Sequence, residues 1–327
     1  MRDHPAPGLE LTLDARESAQ VTELALDLAR DADPARPHAV FREAPVRAED
    51  LPARLRRALT GMRQHEGAAY AVLRGLSVDD AAIGPTPDRW GADPARQRTR
   101  VHEMQLALLG SALGELFGWD SQQDGAVVHD VLPLREYENA QINFASQEPI
   151  WWHTEDAFHA HRPDYVGLMC LRNPQNAATT VSCAAEWDLG HGRYDVLFEE
   201  RFRQRPDQSH GVAGREPEPR AVLLGERHRP YVRVDPYYLQ EPEDERAAAA
   251  LRDFYAVVEG ALRQVVLAPG EVLFVDNYRA VHGRKPFRAR YDGRDRWLKR
   301  ASVSRDLRHC WPSWSKESRQ VLTGEAR

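Results

Sequence analysis

The sequence predicts a mainly β protein: a double-stranded β-helix, or jelly roll, carried on a helical N-terminal scaffold, with inserted helices and a lid. Two observations lead there. As far as residue 117 the apolar residues recur at helical spacing, and from residue 121 onward the chain breaks into short runs of Val, Leu, Thr and Tyr separated by Gly, Pro, Asn and Asp. Helices first and short strands afterwards point to an antiparallel double sheet with helices packed outside it. A length of 327 residues suits one large domain or two small ones and is ample for a buried core. The expected layout is a single domain, with a scaffold over 1–120, a jelly-roll core over 121–308 that includes a lid at about 186–220, and a tail over 309–327.

Residues 15–33 carry Val21, Leu24, Leu26 and Leu28 between acids, a helix that Pro34 and Pro37 end. A second helix spans 49–66, with Leu51, Leu55 and Leu59 on one face and Pro52 in its first turn. Residues 70–76 read as a strand and 83–94, rich in Pro, Gly and Asp, as a loop. A long helix follows over 96–117, and its stripe of Met104, Leu106, Leu109, Leu113 and Leu116 is core packing, not chemistry. Ser121 to Gly125 is a turn before a strand at 126–133, and 135–150 is polar and loop-like. Strands read at 150–156, 164–172 and 178–182, then a helix at 186–203 broken by Gly190-His191-Gly192. The proline- and charge-rich stretch 203–219 has the composition of a lid, in which His191 nearby and His210 read as surface residues. Strands at 222–225 and 230–238 flank a polar turn, and an amphipathic helix over 244–263 precedes strands at 264–267 and 271–276, around His282 and over 295–304.

Composition narrows the function. Lys and Arg number 44 against 50 Asp and Glu, a net charge of −6, which argues against nucleic acid as the main partner. Three cysteines, Cys170, Cys183 and Cys310, without C-x-x-C spacing, fit a reducing cytoplasm and neither a disulfide framework nor a zinc knuckle. The opening residues hold no apolar run of signal-peptide type, and no stretch approaches the roughly 18 apolar residues that span a bilayer. A cytoplasmic protein without a membrane partner is the expectation.

The chemistry is written in Trp151-Trp152-His153-Thr154-Glu155-Asp156, read with His282 far downstream. On a strand, His153 and Glu155 lie two apart and project from one face. One more imidazole, from His282, completes the two-His-one-carboxylate set that is diagnostic of non-haem Fe(II) oxygenases. The H-x-E triplet alone is a weak signal, because 13 histidines and 50 acids produce it by chance. The run from Asp295 to Ser304 strengthens it: Arg296, Leu298 and Arg300 share a strand face, and two inward guanidinium groups are costly without anions to pair with. A keto acid's distal carboxylate suits one fork and an amino acid's carboxylate the other.

Residues 152–180, the V-H-G-R around His282 and the R-W-L-K-R at 296–300 resemble the clavaminate synthase-like Fe(II)/2-oxoglutarate dioxygenases, and among these the arginine and asparagine β-hydroxylases of nonribosomal peptide biosynthesis. The likeness runs from about residue 100 to 308 in order and spacing, and extends to Glu at the second ligand. It implies Fe(II) on His153, Glu155 and His282, and 2-oxoglutarate on Arg296 with a strand threonine, Thr180 before Thr179. The amino acid's carboxylate would go to Arg300, its amine to Gln122 or Gln123 and to Glu155, and its side-chain nitrogen to Asp235. Tyr237 stands where arginine binders of that family carry a second carboxylate, which counts against arginine itself. Asn143 and Ser146 are further candidates to face the substrate. The implied reaction is hydroxylation of a β or γ carbon of a free amino acid with a nitrogen-bearing side chain (arginine, lysine, citrulline or asparagine type) in natural-product biosynthesis, with O2 consumed and the oligomeric state left open. Two other readings stay open: a zinc hydrolase on the same three ligands, which needs an extra acid or base and gives Arg296 and Arg300 no role, and a non-catalytic jelly-roll binding protein that has kept the site.

Overall fold

Asp14 starts the first helix of the scaffold, because its carboxylate accepts from the Glu17 N–H while Glu17 reaches back to the Asp14 N–H, a reciprocal cap. The structure is a computed structural model that describes residues 7–32, 37–64, 66–140, 144–190, 192–207, 210 and 216–323. Strand β1 (Gly8–Thr12) precedes that helix, α1 (Ala15–Asp31). An additional helix, α2 (Val40–Arg47), contains Pro45, which is why helical spacing around two nearby prolines did not announce it. Helix α3 (Ala53–Met62) starts after Pro52, and β2 (Tyr70–Arg74) pairs in parallel with β1.

The expected helix over 96–117 is shorter. After the single turns α4 (Asp80–Ile83) and α5 (Ala95–Arg98), α6 (Arg100–Ser111) ends, and Glu115–Trp119 is a strand, β3. Gly114 makes the exchange possible: a Cβ there would stand 2.3 Å from the Ser304 carbonyl oxygen of the neighbouring strand. Leu113 and Leu116 enter the same core as the helix stripe, so their apolarity carried no sign of the change.

The core strands are β4 (Val128–Val131), β5 (Ile150–His153), β6 (Tyr165–Arg172) and β7 (Thr179–Cys183). The expected helix over 186–203 is absent. Short 3-10 turns occupy 184–186 and 195–198, Gly190 and Gly192 between them adopt φ of 31° and 87°, and β8 (Phe202–Arg203) pairs with β9 (Pro219–Arg220). Within the expected lid, residues 191, 208–209 and 211–215, His191 among them, lie outside the described residues, as does Asn143. Strands β10 (Leu223–Glu226) and β11 (Arg229–Val232) form a hairpin, and α7 (Glu245–Gly260) leads to β12 (Arg263–Val265), β13 (Val272–Asp276), β14 (Ala280–Arg284) and β15 (Trp297–Ser304). Short β16 (Trp314–Ser315) and β17 (Gln320–Val321) extend the edge beside β3.

The larger sheet runs β1-β2-β13-β6-β15-β3, with β4 also on β15, and the smaller runs β12-β7-β14-β5. Their inner faces meet in one apolar layer that takes Leu168, Cys170, Leu273 and Leu298 from one sheet and Val181, Cys183, Val265 and Ala280 from the other. Helices α1 and α6 cover the outer face of the larger sheet, and α7 with Trp187 and Tyr194 covers that of the smaller. Among the described residues, no helix is long and apolar enough to cross a membrane.

Candidate metal centre and substrate cleft

His153 ends β5 and lies directly opposite His282 of the antiparallel neighbour β14, so both rings leave the same face, the one turned to the interior. Their ring centroids are 4.7 Å apart. Glu155 reaches the same point by another route than the one expected, since the strand stops at His153 and does not run to 156. Beyond it the chain turns inward, and Asn277 replaces the missing ladder. The Glu155 N–H donates to Asn277 Oδ1 at 2.7 Å, and Asn277 Nδ2 donates to the carbonyls of Glu155 at 3.0 Å and Pro163 at 2.9 Å. Glu155 Oε2 then stands 3.6 Å from His153 Nε2 and 3.3 Å from His282 Nε2.

The geometry of this group suits metal binding. His153 Nδ1 donates to the Trp151 carbonyl at 2.8 Å, which turns Nε2 towards the group; against burial, the Glu155 carboxylate and then Asp235 raise its pKa to about 9, and a metal bound at Nε2 would take the place of that proton. Burial opposes ionisation of Glu155, but Arg300 and the two imidazoles outweigh it and hold the carboxyl well below its ordinary range. Two imidazoles and an ionised carboxylate whose ligand atoms all lie within 4.8 Å of one another are a donor set for a divalent metal that keeps other positions free.

Arg300 lies beside this set on β15. It donates to Glu155 Oε1, to Gln122 Oε1 at 2.9 Å and to His129 Nδ1 at 2.8 Å. No motif singles out His129. Its Nε2 is 2.9 Å from the Ala126 carbonyl, so it donates there and accepts from Arg300 at Nδ1, and burial first, then Arg300, push its pKa down to about 3. Of the two glutamines, only Gln122 faces this group. Gln123 is spent on the backbone of Asp130, donating to its carbonyl at 2.8 Å and accepting from its N–H at 2.9 Å.

Arg296 is 4% exposed, its Nε has no partner, and no ion pair forms to it among the described residues. Burial pushes its pKa down to about 10. Of the two threonines, Thr179 faces the interior and Thr180 does not. Val181 is opposite His282 and Thr179 opposite Arg284, so 179 and 181 face the interior, whereas Thr180 pairs with Gly283 on the outer face beside Ser182, whose Oγ accepts from Trp187. Strand alternation decides this, and two adjacent threonines could not. The Ser146 hydroxyl is turned to Tyr291, 3.4 Å away.

A cleft of about 610 Å³, partly open to solvent, is lined by His153, Glu155, Arg300, Asp235, Asp207 and Tyr237. Asp235 accepts the Tyr237 N–H at 3.0 Å, and burial pushes its carboxyl up to about 6, partly offset by His153. Asp207, which no motif marked, supplies a second carboxylate to the cleft from a different segment than position 237. His210 corrects the expectation of a surface residue. It is 3% exposed, 2.8 Å from Asp156 Oδ1 and within 2.9 Å of Ser121 Oγ, while Trp119 Nε1 donates to Asp156 Oδ2 at 2.7 Å.

Comparison with known proteins agrees with this chemistry. Residues 185–302 match the family described as taurine catabolism dioxygenase TauD, TfdA family. The chain is 39% identical to the enduracididine β-hydroxylase of Streptomyces hygroscopicus over 96% of its length and 98% of the relative's. It is 40% identical to the L-ornithine/L-arginine 3-hydroxylase of Catenulispora acidiphila, over 91% and 95%. The crystal structure of the non-heme iron oxygenase OrfP in complex with Fe and α-ketoglutaric acid superposes with a TM-score of 0.86 at 41% identity, covering 96% of this chain and 99% of that one.

Proposed function

Because the chain belongs to the TauD/TfdA dioxygenase family and to its clavaminate synthase-like members, we propose that it hydroxylates the β or γ carbon of a free amino acid whose side chain carries nitrogen. It is an Fe(II)/2-oxoglutarate-dependent dioxygenase. The observation that carries this reading is the convergence of His153, Glu155 and His282, with a buried guanidinium, Arg296, that pairs with no anion among the described residues. A zinc hydrolase or an inert binding fold would leave that cation uncompensated.

His153, Glu155 and His282 would hold the iron, and Arg296 with Thr179 the distal carboxylate of 2-oxoglutarate. Bound together, iron and 2-oxoglutarate would activate O2, one oxygen atom ending in the C–OH that replaces C–H and the other in succinate, with carbon dioxide released from the keto acid. The protein's own part is positioning, because the carbon held nearest the metal is the one that reacts. Arg300 receives the substrate carboxylate, oriented by His129, and Gln122 with Glu155 Oε1 takes the amine. The nitrogen head reaches Asp235 and Asp207, whose charges favour arginine-like or ornithine-like cations over a neutral amide. The relatives that act on enduracididine, ornithine and arginine support the same preference. A cytoplasmic setting in a natural-product pathway suits three buried, unpaired cysteines whose thiols burial pushes up to about 12, about 12 and about 11.

Succinate release, screened over the proteinogenic amino acids, citrulline and ornithine, tests the proposal. Stimulation by cationic amino acids is expected, and no stimulation by any of them would overturn it. Under nitrogen, a weak visible absorption should appear with Fe(II) and 2-oxoglutarate together, and not with zinc.

A further inference from the structure

Arg284 has no part in the roles assigned so far, yet it points into the same interior. It follows His282 by two positions on β14 and therefore shares its face, directly opposite Thr179. It is 5% exposed. Resting on the co-substrate reading above, we propose that Arg284 is a second binding residue for 2-oxoglutarate, its guanidinium and that of Arg296 receiving the distal carboxylate between them.

The two guanidinium groups flank one ring, with Cζ atoms 5.1 Å (Arg284) and 5.9 Å (Arg296) from the centre of Phe287. Arg284 is held rigidly: its NH1 donates to the carbonyls of Ser146 at 3.2 Å and Lys285 at 3.1 Å, and its NH2 to that of Glu148 at 2.9 Å. Its Nε is left without a partner, and so is that of Arg296. Among the described residues neither cation forms an ion pair. Two like charges taken out of water side by side are unfavourable until an anion joins them. A carboxylate has lone pairs enough for both donors, and Thr179 adds a hydroxyl at the same end. The chelating end of the keto acid lies at the other side of this group, towards His282, so the pair reads the far end and selects dicarboxylic over monocarboxylic 2-oxo acids.

The competing role for Arg284 is a clamp on the segment entering β5. The two roles part when the keto acid is varied. Binding of 2-oxoglutarate and of 2-oxobutanoate, which keeps the chelating end and lacks the distal carboxylate, is measured by calorimetry on the anaerobic Fe(II) protein. Arg284→Gln should weaken 2-oxoglutarate by tenfold or more and leave 2-oxobutanoate within about twofold, as expected for the loss of a charge-assisted hydrogen bond. Arg284→Lys keeps the charge without the fork, and should weaken 2-oxoglutarate alone by a smaller factor. It decides the question if the glutamine variant does not fold. Unchanged 2-oxoglutarate binding, or equal losses for both keto acids, overturns the assignment. Failure of the unaltered Fe(II) protein to bind 2-oxoglutarate at all would instead sink the co-substrate reading on which it rests.

Discussion

In its proposed role as partner of the substrate's side-chain nitrogen, Asp235 would set both affinity and its pH dependence. Its carboxyl is pushed up to about 6 by burial, against the pull of His153, so it is largely protonated at pH 5 and ionised at pH 7. The KM for a cationic amino acid should therefore fall as pH rises from 5 to 7, and Asp235→Asn should abolish that fall. The same substitution should raise the KM for arginine or ornithine by roughly 10- to 100-fold, the worth of a charged hydrogen bond, while citrulline changes much less. Equal effects on charged and neutral substrates would show that Asp235 is not a charge partner. For folding the sign is opposite. The protonated form is the one the fold favours, so this group's contribution is full below its unfolded pKa and is lost as pH rises through about 6.

At the scale of elements, the decisive device is the turn after β5. A strand continued through Glu155 would also have placed it two residues from His153, but the backbone there is held by Asn277, fully buried, with three hydrogen bonds to other segments. Asn277→Ala would strand an N–H and two carbonyls away from water. The expected cost is roughly 3 kcal/mol or more, seen as a lowered thermal midpoint. Iron affinity should fall by about 10- to 100-fold, as for other groups that orient a ligand from behind. Normal iron affinity in a destabilised variant would make Asn277 a structural residue only.

Across the whole molecule, β15 couples the site to the scaffold. Its inner face presents Arg300, with Arg296 immediately before the strand, and its outer face presents Lys299, 1% exposed, with Nζ 2.9 Å from Glu103 of α6 and 2.7 Å from Asp130 of β4. Burial opposes the charge, yet the two carboxylates raise the pKa of Lys299. Lys299→Met should destabilise the fold by about 3–5 kcal/mol, because it leaves Asp130 buried without its cation and Glu103 with Arg100 alone. Urea denaturation reads that loss. Since the side chain faces away from the cleft, 2-oxoglutarate affinity of the folded protein should stay unchanged, and a parallel loss would mean that the sheet transmits strain to Arg296.

Spacing along the chain was enough for the jelly roll on a helical scaffold and for the shared strand face of Arg296 and Arg300, while the H-x-E triplet was a weak signal until the surrounding motifs and their resemblance joined it to His282. The first two depend on periodicity and on the cost of inward charge, which are local properties. Arg284 obeys the same rule, two positions after His282, but nothing local marks an arginine as buried. Thr179 over Thr180, Gln122 over Gln123, the helix that becomes β3, and the arrival of Asp207 and His210 in the site were decided only by tertiary structure. Each depends on which strand faces which, in what register, and on segments far apart in sequence meeting in space. A one-residue difference in register reverses every side chain of a strand, and no local pattern encodes its partner.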